Sequence, residues 1–385
     1  MVLGIVGARL LDPNKSVMAQ TWQPTRAPST NWSAIASSAN GDNLVAAVYG
    51  GGIYTSTNAG GDWTLTSASN SIDFSWSATA CSTDGLKLVA VAASGQIYTS
   101  TNGGNDWVSN NVPDEVWVSV ASSADGSNLV ALNFYDHFIH YSTNAGSNWS
   151  AVDETNIINW NAVASSADGS KFVAAVLGGG IYVSTNSGAV WNVTYAPMAD
   201  WSSVASSADG VKLVATDAGG GGIYVSTNSG GTWNLTLAPS NIWNSVASSS
   251  DGSKLVAVAG GLNGSGPIYV STDSGNTWVP APAPNGGWYA VASSSNGNKL
   301  AAAIYGGLIF SWQYNPTLYI ANITTNIVIS WISGATDFTL QQSPDLTVNN
   351  WTVLTNVPVY NVANSSNAVT LSPSGSNSFF RLMAQ

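Results

Sequence analysis

Side chains able to do acid–base or nucleophilic chemistry are scarce in this chain. The histidines are His137 and His140, the glutamates Glu115 and Glu154, the cysteine Cys81, and the arginines Arg9, Arg26 and Arg381, with no others of those types. Both histidines fall in one stretch, Asn133-Phe134-Tyr135-Asp136-His137-Phe138-Ile139-His140-Tyr141. Aromatic rings stack on sugar faces and a carboxylate accepts from hydroxyls, so this stretch has the makings of a saccharide contact. The competing reading is a hydrophobic plug. A metal held by Asp136 and His137 would lack a third ligand in sequence. Glycoside hydrolysis needs two carboxylates across the scissile bond, yet both glutamates sit in doublets, Asp114-Glu115 and Asp153-Glu154, of the kind that line a solvated loop. Asp84, Asp125, Asp168, Asp209 and Asp251 each precede glycine, which is turn chemistry. Asp136, Asp200 and Asp217 remain as carboxylates outside repeated positions. No Ser-His-Asp set stands out, and the glycine runs feed strands, so no phosphate-cradling loop is present.

Composition narrows the classes further. Charged residues make up 8% of 385, against about 25% in an ordinary globular protein. Nine basic and 20 acidic side chains give a net charge of −11, with no electrostatic footprint for nucleic acid or an anionic membrane. A 44% hydrophobic content with 17 Trp argues for a packed core and against disorder. A single cysteine removes any disulfide framework or multi-cysteine metal site, and nothing implies a cofactor. Cys81 replaces a serine that recurs inside strands, so it reads as a buried small residue and not as a nucleophile. Gly, Asn and Ser interrupt each apolar run before 18 residues, so no membrane span is expected. The opening run Met1–Arg9 is too short for a signal peptide. The Asn/Ser/Thr/Gly-rich, charge-poor surface points to an extracellular or cell-surface protein.

A repeat must position these residues. The phrase Trp32-Ser-Ala-Ile-Ala-Ser-Ser-Ala-Asn-Gly returns in variants from Trp76, Trp117, Trp160, Trp201, Trp243 and Trp288, at spacings of 44, 41, 43, 41, 42 and 45 residues. Each unit holds three short apolar segments punctuated by D-G and G-G, followed by a more polar fourth, which reads as four strands and no helix. Four strands every 40-odd residues is the signature of a β-propeller blade, and stacking in a ring buries both faces of each sheet. The expected architecture is an all-β, seven-bladed propeller over 1–315. The residues around Trp22, ten before Trp32, supply the outer strand of the last blade and latch the ring shut. Residues 316–385 alternate in six short segments and predict a small antiparallel β-sandwich, fibronectin-like, serving as an accessory module.

A second phrase closes six of the units, as in Ser56-Thr-Asn58-Ala-Gly60-Gly-Asp-Trp63 and Ser271-Thr-Asp273-Ser-Gly275-Asn-Thr-Trp278. The pattern Ser-x-Asn/Asp-x-Gly-x-x-Trp is a hairpin turn in which Asn or Asp bonds the backbone and Gly takes positive φ. These phrases resemble the Asp-box, or bacterial-neuraminidase repeat, of sialidases and related propellers. By that resemblance Asn58, Asn102, Asn144, Asn186, Asn228 and Asp273 form turns away from the substrate face. Five of these six positions are neutral, which leaves little to attract calcium. The resemblance does not extend to sialidase activity, which uses three converging arginines. Propellers that help assemble photosystem II also resemble the repeat, but they carry a basic patch for which nine basic residues are too few.

Departures from the repeat point to function, because the fold does not require them. They fall on loops between second and third strands, opposite the D-G turns: Phe134, Tyr135, Asp136 and His137 in the third unit, with Tyr49, Asp217 and Tyr305 able to ring the same face. The sequence therefore predicts a non-catalytic extracellular binding module, with a glycan or cell-surface component as its partner. A glycoside hydrolase or lyase using aspartates on that face is one rival, and a surface structural or protein-interaction subunit is another. No oligomeric state follows from these patterns.

Overall fold

The computed structural model describes residues 21–313 apart from 71–74, 111, 155–156, 158 and 261–263, and residues 318–384 apart from 324–325, 333–337, 345–350, 357, 362–365 and 373–378. The opening run with Arg9, and 261–263 of the glycine-rich stretch after Ala259, lie outside the described residues. Among the described residues the fold is all-β, with one 3-10 turn at Ser67–Asn70. The first six repeat units each form four antiparallel strands in sequence order, and the seventh forms three. Set 4, for example, runs Trp160–Ser165, Phe172–Gly179, Ile181–Ser184 and Asn192–Val193. The other sets open at Thr30–Ser37, Trp76–Cys81, Trp117–Ser122, Ala199–Ser206, Trp243–Ser248 and Trp288–Ser293. The curled sheets resemble propeller blades.

The second strands explain why the chain must stack. Leu44–Val48, Leu88–Ala92, Leu129–Asn133 and Leu255–Ala259 are buried at every residue, so neighbours cover both faces. The fourth strands are only two residues long in most sets and carry exposed side chains. Short outer edges limit pairing with other chains. In set 7 the expected latch is present, since Gln23–Pro24 pairs with Ile309–Gln313 in the register Gln23↔Ser311 and Pro24↔Phe310. Trp22 packs on Trp288 with ring centroids 6.2 Å apart. The second strands of sets 7 and 4 also run on to pair with the first strand of the next set, fusing sets 7 and 1, and sets 4 and 5, into continuous sheets.

Backbone hydrogen bonds link the sets in a cycle. Ala39 N–H donates to Thr83, Thr83 to Ala124, Ala124 to Ala167, Ala167 to Ala208, Ala208 to Ser250, Ser250 to Ser295, and Ser295 back to Ala39, each at 2.7–2.8 Å. Repetition of Ala-Ser-Ser in sequence thus becomes a closed ring of peptide groups.

The Trp that opens each unit is fully buried: Trp32, Trp76, Trp117, Trp160, Trp201, Trp243 and Trp288 are all 0% exposed. Its indole lies between its own set and the preceding one, as Trp76 does against Ala34, Val45, Ala47 and Ile53. These rings therefore hang from the first strand of each set. An aromatic of the third strand meets each indole edge-on, as with Tyr54, Tyr98, Tyr182, Tyr224, Tyr269 and Phe310. His140 takes that place in set 3, 4.9 Å from Trp117 at 84°. Cys81 occupies the serine position of its strand and is half-buried, less enclosed than expected, and desolvation there pushes the thiol up to about 12.

The described residues form two compact units, Thr21–Gln313 and one that includes Tyr314–Gln385. In the second, one sheet is ordered Leu318–Ile323, Asn326–Ile332, Ser366–Leu371, Val359–Asn361, and another Thr352–Val353, Phe338–Ser343, Phe379–Ala384. Ile327, Ile329, Trp331 and Val369 share a core with Leu340 and Phe380, as in a sandwich. Arg381 stacks 4.4 Å from the Trp351 ring and donates to Gln341 Oε1.

Candidate functional site

Two kinds of turn lie together at one end of each set, and their polar groups are consumed by the fold. In set 4, Ser166 Oγ bonds Asp168 Oδ1 at 2.6 Å and accepts from Lys171 N–H, while Asp168 accepts from Ser170 N–H. Its partner turn repeats one geometry in all six copies. Ser184 Oγ accepts from Gly188 N–H at 3.0 Å and bonds Asn186 Oδ1, which accepts from Val190 N–H. Ser187 N–H donates to Ser170 O, tying the two turns to each other. Asn58, Asn102, Asn144, Asn228 and Asp273 make the same bonds. The carboxyls of Asp125 and Asp168 are drawn down to about 2, chiefly by hydroxyls of Ser123 and Ser166 and then by backbone N–H groups.

A device not legible in the repeat phrase locks this end. The residue three after the turn Asp or Asn reaches across to the next set: Asn43 to Asp84 O, Lys87 to Asp125 O, Asn128 to Asp168 O, Lys171 to Asp209 O and Lys254 to Asn296 O. Lys299 closes the series on Asp42 Oδ1 at 2.6 Å. The stem of each such side chain lies over the turn glycine, and a Cβ on Gly41 would stand 2.7 Å from Lys299 Cβ. Lysines in a chain with so few cations therefore act as internal clamps. Arg26 pairs with Asp62, another group of this turn system.

At the opposite end the loops differ from set to set, although their frame is constant. The N–H groups of Tyr49, Phe134, Leu177, Ala218 and Tyr305 donate to Asn31, Val116, Asn159, Asp200 and Gly287, each the residue before a buried Trp. The expected site residues occupy three separate places on this frame.

In set 3, Phe134 and Tyr135 meet edge-on at 5.0 Å, with Tyr135 largely exposed. Asp136 Oδ1 accepts from His137 N–H at 2.7 Å. His137 stands between two carboxylates, Nδ1 3.3 Å from Asp136 and Nε2 3.4 Å from Asp153. Its ring lies 4.6 Å from Phe138. Asp136 and His137 thus brace their own loop against the outer strand, while Tyr135 faces solvent. His140 is structural, packed on Trp117 with its pKa lowered by burial. Glu115 departs from the solvated-loop expectation, since it is half-buried and accepts from Asn133 Nδ2 at 2.5 Å. Glu154 is raised by burial and then by Asp153.

In set 5, Asp217 Oδ1 accepts from Gly219 N–H at 2.8 Å, and its other oxygen fills the space where a side chain on Gly221 would go. Asp200 reaches the same loop, its Oδ2 lying 3.0 Å from the Cβ position of Gly219.

Tyr49 and Tyr305 are brought together where sets 7 and 1 meet. Tyr49 N–H donates to Asn31 O at 2.8 Å, and Tyr305 is the register partner of Asn31 on the other side. Sequence reading missed the third member, Tyr289. Its ring lies 5.6 Å from Tyr305 at 45°, and its hydroxyl is raised by burial, then by Tyr305 and Tyr49. The signal was available, because the residue after the buried Trp is Ser33, Ser77, Val118, Asn161, Ser202 and Asn244 in the other units.

Among the described residues no group of three or more His, Cys, Asp or Glu is placed to hold a metal ion, and no helix is long and apolar enough to cross a membrane. No protein-family model and no curated protein matches the sequence. The fold does have solved counterparts. It is similar to YCF48 from Cyanidioschyzon merolae, with a TM-score of 0.58 at 16% identity, over 76% of this chain and 98% of that one. It is also similar to a structure of YCF48 bound to D1 peptide, with a TM-score of 0.58 at 14% identity, over 80% of this chain and 100% of that one. At such identity the likeness is one of fold, and the class it defines is an all-β, propeller-like protein.

Proposed function

We propose that 1–315 is a seven-bladed propeller of the Asp-box kind, followed by a β-sandwich module at 316–385, and that the protein is a non-catalytic extracellular binding module whose ligand is a carbohydrate held on the variable-loop end. The observation that carries this reading is the division of labour between the two ends. Hydroxyls, carboxylates and lysines of the turn end are spent on bonds within and between sets. Exposed rings stand on the other end, Tyr135 in set 3 and Tyr49, Tyr289 and Tyr305 together where sets 7 and 1 meet. Exposed tyrosines with a polar tip and a stackable face suit sugars.

A glycoside hydrolase or lyase is the second reading, favoured by Asp200 and Asp217 standing on either side of Gly219. A glycan array run beside a reducing-sugar assay on the same polysaccharides separates the two. Binding without sugar release supports the module; release that is lost in Asp217→Asn supports the enzyme. The D1 peptide belongs to YCF48, and its presence there makes a peptide array a useful third arm. Binding to peptides alone would move the reading to a protein-interaction subunit.

A further inference from the structure

We infer that Tyr49, Tyr289 and Tyr305 form a stacking platform for a neutral saccharide at the seam where the last repeat unit meets the first; this rests on the carbohydrate reading above and fixes its site and ligand class.

Comparison among the units makes the case. The residue after each buried Trp sits at a β-bulge, and in three sets it serves the joint between sets. Ser77 Oγ donates to Trp117 O at 2.7 Å, Asn161 Nδ2 to Trp201 O at 2.8 Å, and Asn244 Nδ2 to Trp288 O at 2.7 Å. Tyr289 holds that position in set 7, where its side chain is left 46% exposed. Ser or Asn fills this position in five of the other six units, with Val118 in set 3, so a large exposed ring here answers some other need. Tyr305 and Tyr49 then flank Asn31 from both sides, at 47% and 48% exposure. Tyr289 and Tyr305 meet across one hairpin of set 7, and closure of the chain on itself adds Tyr49 from the first set.

Space stands beside the rings. Gly50 and Gly306 follow Tyr49 and Tyr305 with φ of 73° each, and a Cβ on Gly50 would meet no atom within 4 Å. Glycine is required there by the left-handed backbone, and the loops remain low around the rings. Tyr289 and Tyr305 touch each other at 45° and do not face across a gap. Half-exposed rings suit the C–H face of a pyranose, and two rings that touch each other do not wall a cage for a quaternary ammonium group.

Charge selects among sugars. Among the described residues the lysines Lys87, Lys171, Lys212, Lys254 and Lys299 all lie at the turn end, and Arg26 pairs with Asp62. Among the described residues of Thr21–Gln313 no cation is left over for a uronate, sialate or sulfate at the seam, and the net charge of −11 repels polyanions. The ligand is therefore a neutral hexose or pentose polymer.

The test is affinity electrophoresis and calorimetry of the full chain with neutral polysaccharides (β-glucan, mannan, galactan, xylan) and with anionic ones (alginate, pectate). Tyr289→Ser installs the residue that Ser202 provides in set 5, and Tyr49→Ala and Tyr305→Ala alter exposed rings without touching the core. Each is expected to weaken binding to one neutral polysaccharide by about tenfold or more, at an unchanged melting temperature. Tyr135→Ala and Asp217→Asn should leave it unchanged. Should Tyr289→Ser fail to fold, the two alanine variants decide. Neutral-glycan binding that survives all three variants but is lost in Tyr135→Ala overturns the platform and leaves the carbohydrate reading standing. Preference for the anionic polymers overturns the ligand class. Absence of binding to any polysaccharide overturns the carbohydrate reading itself, and the platform with it.

Discussion

Lys299 Nζ lies 2.6 Å from Asp42 Oδ1 across 257 residues of sequence, and this pair joins the last repeat unit to the first. It is one member of a series in which a long side chain from each turn grips the next turn, with the turn glycine beneath its stem. Because the grip combines an ion pair with close packing, the two parts are separable. Lys299→Met, which keeps the stem, should lose no more than about 1 kcal/mol in urea denaturation, in line with a partly exposed pair. Gly41→Ala should lose about 2 kcal/mol or more, since it places a Cβ against Lys299 at a φ of 74°. Equal losses from the two variants would contradict the division.

The second turn depends on one buried hydroxyl per copy. Ser184 is fully buried and accepts from Gly188 N–H. Ser184→Ala is expected to cost about 1–3 kcal/mol by leaving that donor unpaired, whereas Ser170→Ala on the exposed neighbouring turn should cost under about 0.5 kcal/mol. Thermal melts of the two variants provide the comparison.

His140 makes an acid-sensitive joint. Burial lowers its pKa, so the folded state takes up a proton less readily than the unfolded chain. Its contribution to stability is complete above the ordinary histidine value of 6.5 and falls away as the pH drops below it. His140→Phe, which matches Phe310 in set 7, should flatten the stability profile between about pH 7 and pH 5. A profile unchanged by the substitution would place the acid sensitivity elsewhere.

At lower pH the turn aspartates dominate. Asp125 and Asp168 are held at about 2 against an ordinary 3.8, so the stability they give is present above 3.8 and is lost as the pH falls towards 2. The protein itself uses Asn40 and Asn296 in equivalent turns, where Oδ1 makes the same bonds. The Asp125→Asn, Asp168→Asn double variant should therefore lie within about 1 kcal/mol of wild type at pH 7 and lose less stability on acidification to pH 2.

Cys81 should be chemically quiet. Burial pushes its thiol up to about 12, and serine fills the same strand position in the other units. Slow labelling by a disulfide reagent in the native state, fast labelling in guanidine, and a Cys81→Ser variant within about 1 kcal/mol of wild type are expected.

The periodic features of this protein were legible in its sequence because each is a local rule applied over and over. Trp at constant spacing, Val- and Ile-rich segments, D-G turns and the Ser-x-Asn-x-Gly phrase dictate strands and hairpins within each unit. The matching ten-residue interval from Trp22 to Trp32 even foretold the latch at Gln23–Pro24. The candidate site was less legible. Phe134, Tyr135, Asp136 and His137 stand out in sequence as a local oddity, yet Asp136 bonds His137 and His137 turns inward on Asp153, a partner that only folding supplies. Tyr49 and Tyr305 were named without their third ring. Tyr289 stands beside Tyr305 because a β-bulge in their shared hairpin aims its side chain, and Tyr49 joins them because the first set pairs with the last. Sequence thus determined the repeating unit, whose hydrogen bonds and burial are set within some forty residues. Tertiary structure decided which units become neighbours, and so which exposed rings, clamping lysines and bracing carboxylates share a place, since ring closure alone brings residues more than two hundred positions apart into contact.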